Sequence, residues 1–133
     1  MRRTILATAL MLLAAPLAHA TSDSSADDTF YKQKKEAETN LTTTSGLEYD
    51  RILGGYLASS PEWKPGIAKC LEANPAPQEV RGFINFMDKT NFRLVLRPTG
   101  EFATCVSDVV EHMNPPRPPT TPYFADFNIN TDY

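Results

Sequence analysis

The stretch NFRLVLRPTGEFATCV, residues 91–106, has the clearest structural pattern in the chain. Phe92, Leu94 and Leu96 occur at every second position, which is typical of a strand with one apolar face. Pro98–Gly100 is a turn signal, and apolar residues resume at a spacing of two beyond it. The sequence therefore predicts a β-hairpin, with arms at Asn91–Arg97 and Glu101–Val106.

Segments on both sides of this hairpin extend the pattern. Val80–Met87 is an apolar run that predicts a further strand, and Tyr123–Asn130 alternates in the same way near the C-terminus. Between the hairpin and the last strand, Ser107–Met113 predicts a short helix, and the proline-rich residues 115–122 predict an extended connector. These elements predict a three- or four-stranded antiparallel sheet.

Helical spacing dominates the region before the sheet. Apolar residues recur three and four positions apart over Leu47–Leu57, and again after Ser60, which is suited to N-capping a second helix that begins at Pro61. Helices that precede strands joined by short connections indicate an α+β fold. We therefore expect N-terminal helices, a small antiparallel sheet and one short helix before the last strand.

The N-terminus has the organisation of a secretory signal peptide. Arg2 and Arg3 precede an apolar run from Ile5 to Leu17, and residues 18–20 have the small-x-small form of a cleavage site. We expect cleavage after Ala20, no membrane insertion of the product, and a periplasmic location. The net charge of −3 becomes −5 when both arginines are removed, which argues against nucleic acid as a partner.

The product is expected to have a leader and one domain. Residues 21–45 are polar and end in a Thr/Ser/Gly run, so they predict a flexible leader with a possible helix over Phe30–Leu41. Residues 46–133 predict a single compact α+β domain. Its only cysteines, Cys70 and Cys105, predict a disulfide because exported proteins fold under oxidising conditions.

Catalytic patterns are weak. His112 is the only histidine after the signal peptide, and Ser107 and Asp108 lie too close to it in sequence to form a catalytic triad. Asp108 and Glu111 lie near His112 in sequence, but a metal site would need at least one more ligand from elsewhere in the chain, so no metal is expected. The sequence predicts a protein that is not an enzyme and has no cofactor.

The C-terminal half resembles a known family. RLVLRPTG at residues 93–100 is followed by a short helix opened by Cys105, a proline-rich run at 115–119 and YFADF at 123–127. This order resembles that of the C-terminal domain of TolA and its TonB-like relatives, in which a strand, a Pro-x-Gly turn, a second strand, a helix entered through a cysteine and a proline-rich stretch precede a closing edge strand. This resemblance covers roughly the last 45 residues. It implies a small periplasmic domain that binds other envelope proteins through a sheet edge.

Two modes of binding follow from these considerations. If the last strand lies at an edge, the partner-binding residues are Tyr123, Phe124, Asp126, Asn128 and Asn130. The alternative is a small periplasmic enzyme inhibitor or immunity protein that blocks a cleft with the loop Pro98–Glu101. An enzyme, a third possibility, would need a concave pocket with convergent polar groups.

Overall fold

The structure, a computed structural model, describes residues 21–132. The predicted signal peptide, residues 1–20, lies outside the described residues. Helices and strands follow one another in the order expected of an α+β fold, and that class is confirmed. The elements are α1 (Thr21–Asn40), α2 (Thr44–Ser59), α3 (Trp63–Ala73), β1 (Glu79–Phe86), β2 (Phe92–Arg97), α4 (Glu101–Glu111) and β3 (Tyr123–Asn130).

The sheet has three antiparallel strands in the order β2-β1-β3. The strand β1 comes first in the chain but occupies the middle, where Phe83 is opposite Val95 of β2 and Asp126 of β3. The tight β1–β2 turn is held by Asp88, whose carboxylate accepts hydrogen bonds from the N–H groups of Thr90 and Asn91, both at 2.7 Å. The two edge strands of the sheet are therefore β2 and β3.

Side chains alternate between the two sides of the sheet and form two separate clusters. One side packs against α2, α3 and α4, and its buried members include Ile84, Phe86 and Leu94. The other side packs against α1 through Phe83, which meets Phe30 and Ala37. The sheet thus separates a large apolar cluster from a smaller one.

Helix α1 differs from the expected flexible leader over residues 21–45. It is helical from Thr21 to Asn40, and it buries Phe30 and Ala37 against the sheet. These two residues are seven apart, about two helical turns, so they lie on one face of the helix. The possible helix over Phe30–Leu41 is therefore present and begins earlier than expected, and its narrow apolar face covers Phe83.

The prediction that Glu101–Val106 form the second strand of a hairpin is wrong. Residues 101–111 form α4, and among the residues that the structure describes β2 pairs with β1 alone. Phe102 and Val106 fit a spacing of two and a spacing of four equally well. Val110 settles the ambiguity, since it continues the spacing of four and is fully buried with Val106 on the inner face of the helix.

The proline-rich connector 115–122 leads the chain from α4 back to β3. Arg117 fixes its position by donating to the carbonyl of Lys89 at 2.9 Å and by lying over the ring of Phe92, 4.9 Å from its centroid. Tyr49 of α2 donates its hydroxyl to the carbonyl of Pro116 at 2.7 Å. These contacts position the start of β3.

Candidate functional site

The outer edge of β3 is the first candidate site. Thr131 donates its N–H to the carbonyl of Gln78 at 2.9 Å, which shows that odd-numbered residues of β3 direct their peptide groups toward β1. The peptide groups of Phe124, Asp126, Asn128 and Asn130 therefore point away from the sheet. Four of the five residues predicted to bind a partner expose their backbone in this direction.

Both edges of the sheet have outward peptide groups, and some of these groups on each edge are satisfied by side chains. On β2, the outward N–H of Leu94 donates to the Glu111 carboxylate of α4 at 3.1 Å. On β3, the side chain of Asn40 donates to the carbonyl of Phe124 at 2.9 Å. Within residues 21–132, no hydrogen bond is made by the N–H of Asp126 or Asn128. The central part of the β3 edge is therefore open to a further strand.

A largely enclosed cation lies under this edge. Lys34 of α1 donates its ammonium group to Asp126, to the side-chain oxygen of Asn128 at 2.8 Å and to the carbonyl of Gly82 at 3.2 Å. Only 11% of the Lys34 side chain and 14% of the Asp126 side chain are exposed. Asn128 also donates to the second oxygen of Asp126 at 2.7 Å. These bonds hold both β3 side chains in fixed positions.

The predicted binding residues do not all share one side of the sheet. Phe124 packs edge-on against Phe83, with centroids 5.3 Å apart, on the α1 side. Tyr123 projects to the opposite side and meets Tyr49, with centroids 5.4 Å apart. Burial and the nearby Asp50 carboxylate raise the pKa of the Tyr123 hydroxyl. The structure therefore groups Phe124, Asp126, Asn128 and Asn130 and places Tyr123 apart from them.

Sequence reasoning missed the two α1 residues at this site, Lys34 and Asn40. The signal was the spacing of Phe30, Lys34 and Ala37, which puts all three on one side of the helix. A lysine between two residues of an apolar face is a candidate for a buried ion pair. Its partner, Asp126, lies 92 residues later in the chain and is not visible from this local pattern.

The disulfide is confirmed and lies away from this edge. Cys70 of α3 and Cys105 of α4 are bonded, with their Cα atoms 5.7 Å apart. The bond joins the two helices on the side of the sheet opposite α1. It holds together α3 and α4, which pack against the sheet, and it does not lie at the β3 edge.

The loop Pro98–Glu101 is the second candidate site. All four residues are exposed, and they connect the end of β2 to the start of α4. Gly100 has a φ of 153°, a backbone conformation that favours glycine, so the sharp exit from β2 depends on this residue. The loop is held at both ends by regular structure, as an inhibitory loop requires.

The polar groups considered for catalysis have ordinary structural roles. His112 caps the end of α4, and its Nδ1 lies 2.6 Å from the carbonyl of Asp108. Within residues 21–132, no three His, Cys, Asp or Glu side chains are grouped closely enough to hold a metal ion. None of the helices formed by these residues is both long and apolar enough to span a membrane.

Comparison with known proteins gives no assignment. No family model, curated protein or solved structure matches this chain. The β3 edge and the Pro98–Glu101 loop are therefore the features that indicate a function.

Proposed function

We propose that this protein is a soluble periplasmic interaction module of the bacterial cell envelope, similar to the C-terminal domain of TolA and TonB. It acts by binding an envelope protein and not by catalysis. The partner adds a strand to the outer edge of β3. The signal peptide directs export and is cleaved after Ala20.

The open edge of β3 is the observation that carries this proposal. An edge strand offers a row of peptide groups that another chain can complete, and this mode of recognition depends on main-chain hydrogen bonds. The segment YFADFNIN contains no proline and no lysine, the residues that commonly protect edges from pairing. The outward N–H groups of Asp126 and Asn128 are the expected donors to a partner strand.

The order of elements supports the family resemblance. Two paired strands are followed by a helix that includes Cys105, a proline-rich connector and a last strand at the sheet edge. The resemblance implies this order with one departure, since it includes a second strand after the Pro-x-Gly turn, where this chain has α4. The support lies in the arrangement of elements alone, since fold similarity by itself does not establish function.

The alternative proposal is a periplasmic inhibitor or immunity protein. The exposed loop Pro98–Glu101 favours this reading because both its ends are anchored, at Arg97 and at the start of α4. A rigid protruding loop enters an enzyme cleft with little loss of conformational entropy. The two proposals place the contact at different parts of the surface.

A proline at position 128 tests strand addition. The Asn128→Pro variant removes an outward N–H without breaking the β1–β3 ladder, so we expect it to fold and to lose its partner. The measurement is affinity capture from periplasm with mass-spectrometric identification of the protein retained by the wild type. Binding of that protein is then measured for each variant.

Two matched variants control this experiment. Asn128→Ala removes the same side chain but keeps the N–H, so it should retain the partner. Ala125→Pro removes an N–H that points toward β1, so it should lower the thermal midpoint. Unchanged binding by a folded Asn128→Pro variant would rule out strand addition, and loss of binding on replacing Pro98–Glu101 would then establish the loop.

A further inference from the structure

A groove of about 810 Å³ lies between α1 and the outer surface of β1 and β2. Phe30, Tyr31 and Lys35 line it from the helix, while Arg81, Arg97 and Pro98 line it from the sheet and the following loop. We propose that this groove binds an acidic peptide segment that also carries an aromatic side chain. The proposal does not rest on strand addition, because the groove lies on a face of the sheet and not along the β3 edge.

Two arginines face each other across the strands at this groove. Arg81 of β1 is directly opposite Arg97 of β2 in the register of the sheet. Like charges in directly opposite positions destabilise a sheet. Arg81 forms an ion pair with Glu79, yet 69% of the arginine side chain remains exposed. The Nε of Arg97 lies 4.0 Å from the carboxylate of Asp27. A ligand carboxylate between the two guanidinium groups would relieve their repulsion.

The charge of the groove is opposite to that of the whole chain. The chain has a net charge of −3, yet the groove is lined by four cations, including Lys34 and Lys35, and two acids. Within residues 21–132, no acidic group forms an ion pair with Lys35. Lys34 is already paired with Asp126, so the positive charge that faces the groove comes from Lys35 and from the two arginines, whose nearest acids are Glu79 and Asp27. This charge attracts anions.

The two acids indicate which anion fits. Asp27 and Glu38 lie among the cations of the groove. A compact, multiply charged phosphate would be repelled by these carboxylates, whereas a peptide has single charges that are separated along its length. The planar fork of arginine also matches a carboxylate in a bidentate geometry. The charge pattern favours an acidic peptide over a phosphate or a phospholipid surface.

Aromatic surface completes the site. Tyr31 is 68% exposed at the rim of the groove, while Phe30 beneath it is buried against the sheet. The guanidinium of Arg97 lies over the Phe30 ring, 5.0 Å from its centroid, which fixes the arginine against an apolar wall. Exposed tyrosine beside arginine is a composition enriched at protein-binding hot spots. An aromatic side chain of the ligand would pack against Tyr31.

The test uses a fluorescein-labelled peptide in which glutamate alternates with phenylalanine. Its binding to the purified protein is measured by fluorescence anisotropy, beside a peptide with glutamine in place of glutamate. We expect the glutamine peptide to bind about tenfold more weakly, and added salt to weaken binding of the glutamate peptide. Equal binding of the two peptides would overturn the proposal.

Three variants locate the binding. Arg81→Gln and Arg97→Lys should each weaken binding of the glutamate peptide about five- to tenfold, since both remove a planar fork. Arg51→Gln, at an exposed position on α2, should leave it unchanged. If Arg97→Lys disturbs the packing of α1, the binding measured for Arg81→Gln decides whether the arginines hold the peptide. An equal loss for Arg51→Gln would overturn the site, and so would binding of pyrophosphate or phosphatidylglycerol vesicles in place of the peptide.

Discussion

At the scale of single residues, Lys34 connects helix α1 to the outer edge of β3. Its ammonium group is surrounded by Asp126, Asn128 and the carbonyl of Gly82, and it is almost fully enclosed. Removing one partner of a buried ion pair leaves the other charge unpaired and buried, which costs more than loss of the pair itself. Lys34 is therefore a stability determinant and not only a surface charge.

We expect Lys34→Met to lower the free energy of unfolding by about 3 kcal/mol, because it leaves Asp126 buried without a cation. Lys32→Met, at an exposed position on the same helix, should change it by no more than about 0.5 kcal/mol. Urea unfolding measures both. Restoration of part of the loss in the double variant Lys34→Met/Asp126→Asn would identify the ion pair as the cause, and equal effects of the two lysine variants would contradict it.

Tyr49 predicts a loss of stability in alkali. Burial is the main cause that raises the pKa of its hydroxyl, and the neighbouring Tyr123 adds to the effect. The pKa in the folded state lies above the value of about 10 for an unfolded chain. The contribution of the buried Tyr49 hydroxyl to the free energy of unfolding is therefore complete below about pH 10 and falls as the pH rises further, because the unfolded chain loses this proton first. We expect a decline of up to about 1.4 kcal/mol per pH unit from this residue.

The Tyr49→Phe variant tests this expectation. At neutral pH it should be about 1 kcal/mol less stable, because the hydrogen bond to Pro116 is lost. Between about pH 9 and 11 its free energy of unfolding should fall less steeply than that of the wild type. Tyr31→Phe, at an exposed position, is the control. Parallel pH profiles for wild type and Tyr49→Phe would contradict the assignment.

At the scale of elements, the packing of α1 on the sheet should contribute to the free energy of unfolding. We expect Phe30→Ala to cost about 3 kcal/mol, since Phe30 is buried and stacks on Phe83 with centroids 5.6 Å apart. Tyr31→Ala, at the adjacent exposed position, should cost about 0.5 kcal/mol. Thermal and urea unfolding compare the two. Equal, small effects would mean that α1 adds little to the folded domain.

The sequence predicted β2 and β3 well because their alternation is strict and proline or glycine marks their ends. Helix α4 was assigned in part to a strand, since Phe102 and Val106 satisfy both periods and only Val110 distinguishes them. The edge position of β3 was open in the sequence, because strand order depends on contacts between distant segments. For the same reason, the pairing of Lys34 with Asp126 and the opposition of Arg81 and Arg97 required the structure.

At the scale of the whole molecule, one covalent bond joins the helices that support the sheet. The half-cystines Cys70 and Cys105 are 35 residues apart in sequence. A bond that closes such a loop stabilises the fold by roughly 3.5 to 4 kcal/mol in the chain-entropy model, a large share of the stability of a small domain. The oxidised and reduced proteins should therefore differ clearly in stability.

We expect reduction to lower the urea midpoint and the thermal midpoint together. The measurement compares the protein with and without reductant, with free thiols counted after denaturation. The variant Cys70→Ala/Cys105→Ala should be less stable and should not respond to reductant. An unchanged midpoint after complete reduction would show that the bond adds nothing to the folded state.

The central position of β1 determines the order in which the sheet can be completed during synthesis or export. A chain that emerges from its N-terminus presents β1 and β2 first, whereas β3, the neighbour on the other side of β1, follows only after α4 and the proline-rich connector. Until then, β1 has an unpaired edge beside Ile84 and Phe86, which makes a nascent or truncated chain prone to aggregation. Strand β3 therefore covers the second edge of β1 as well as forming an outer edge of the sheet.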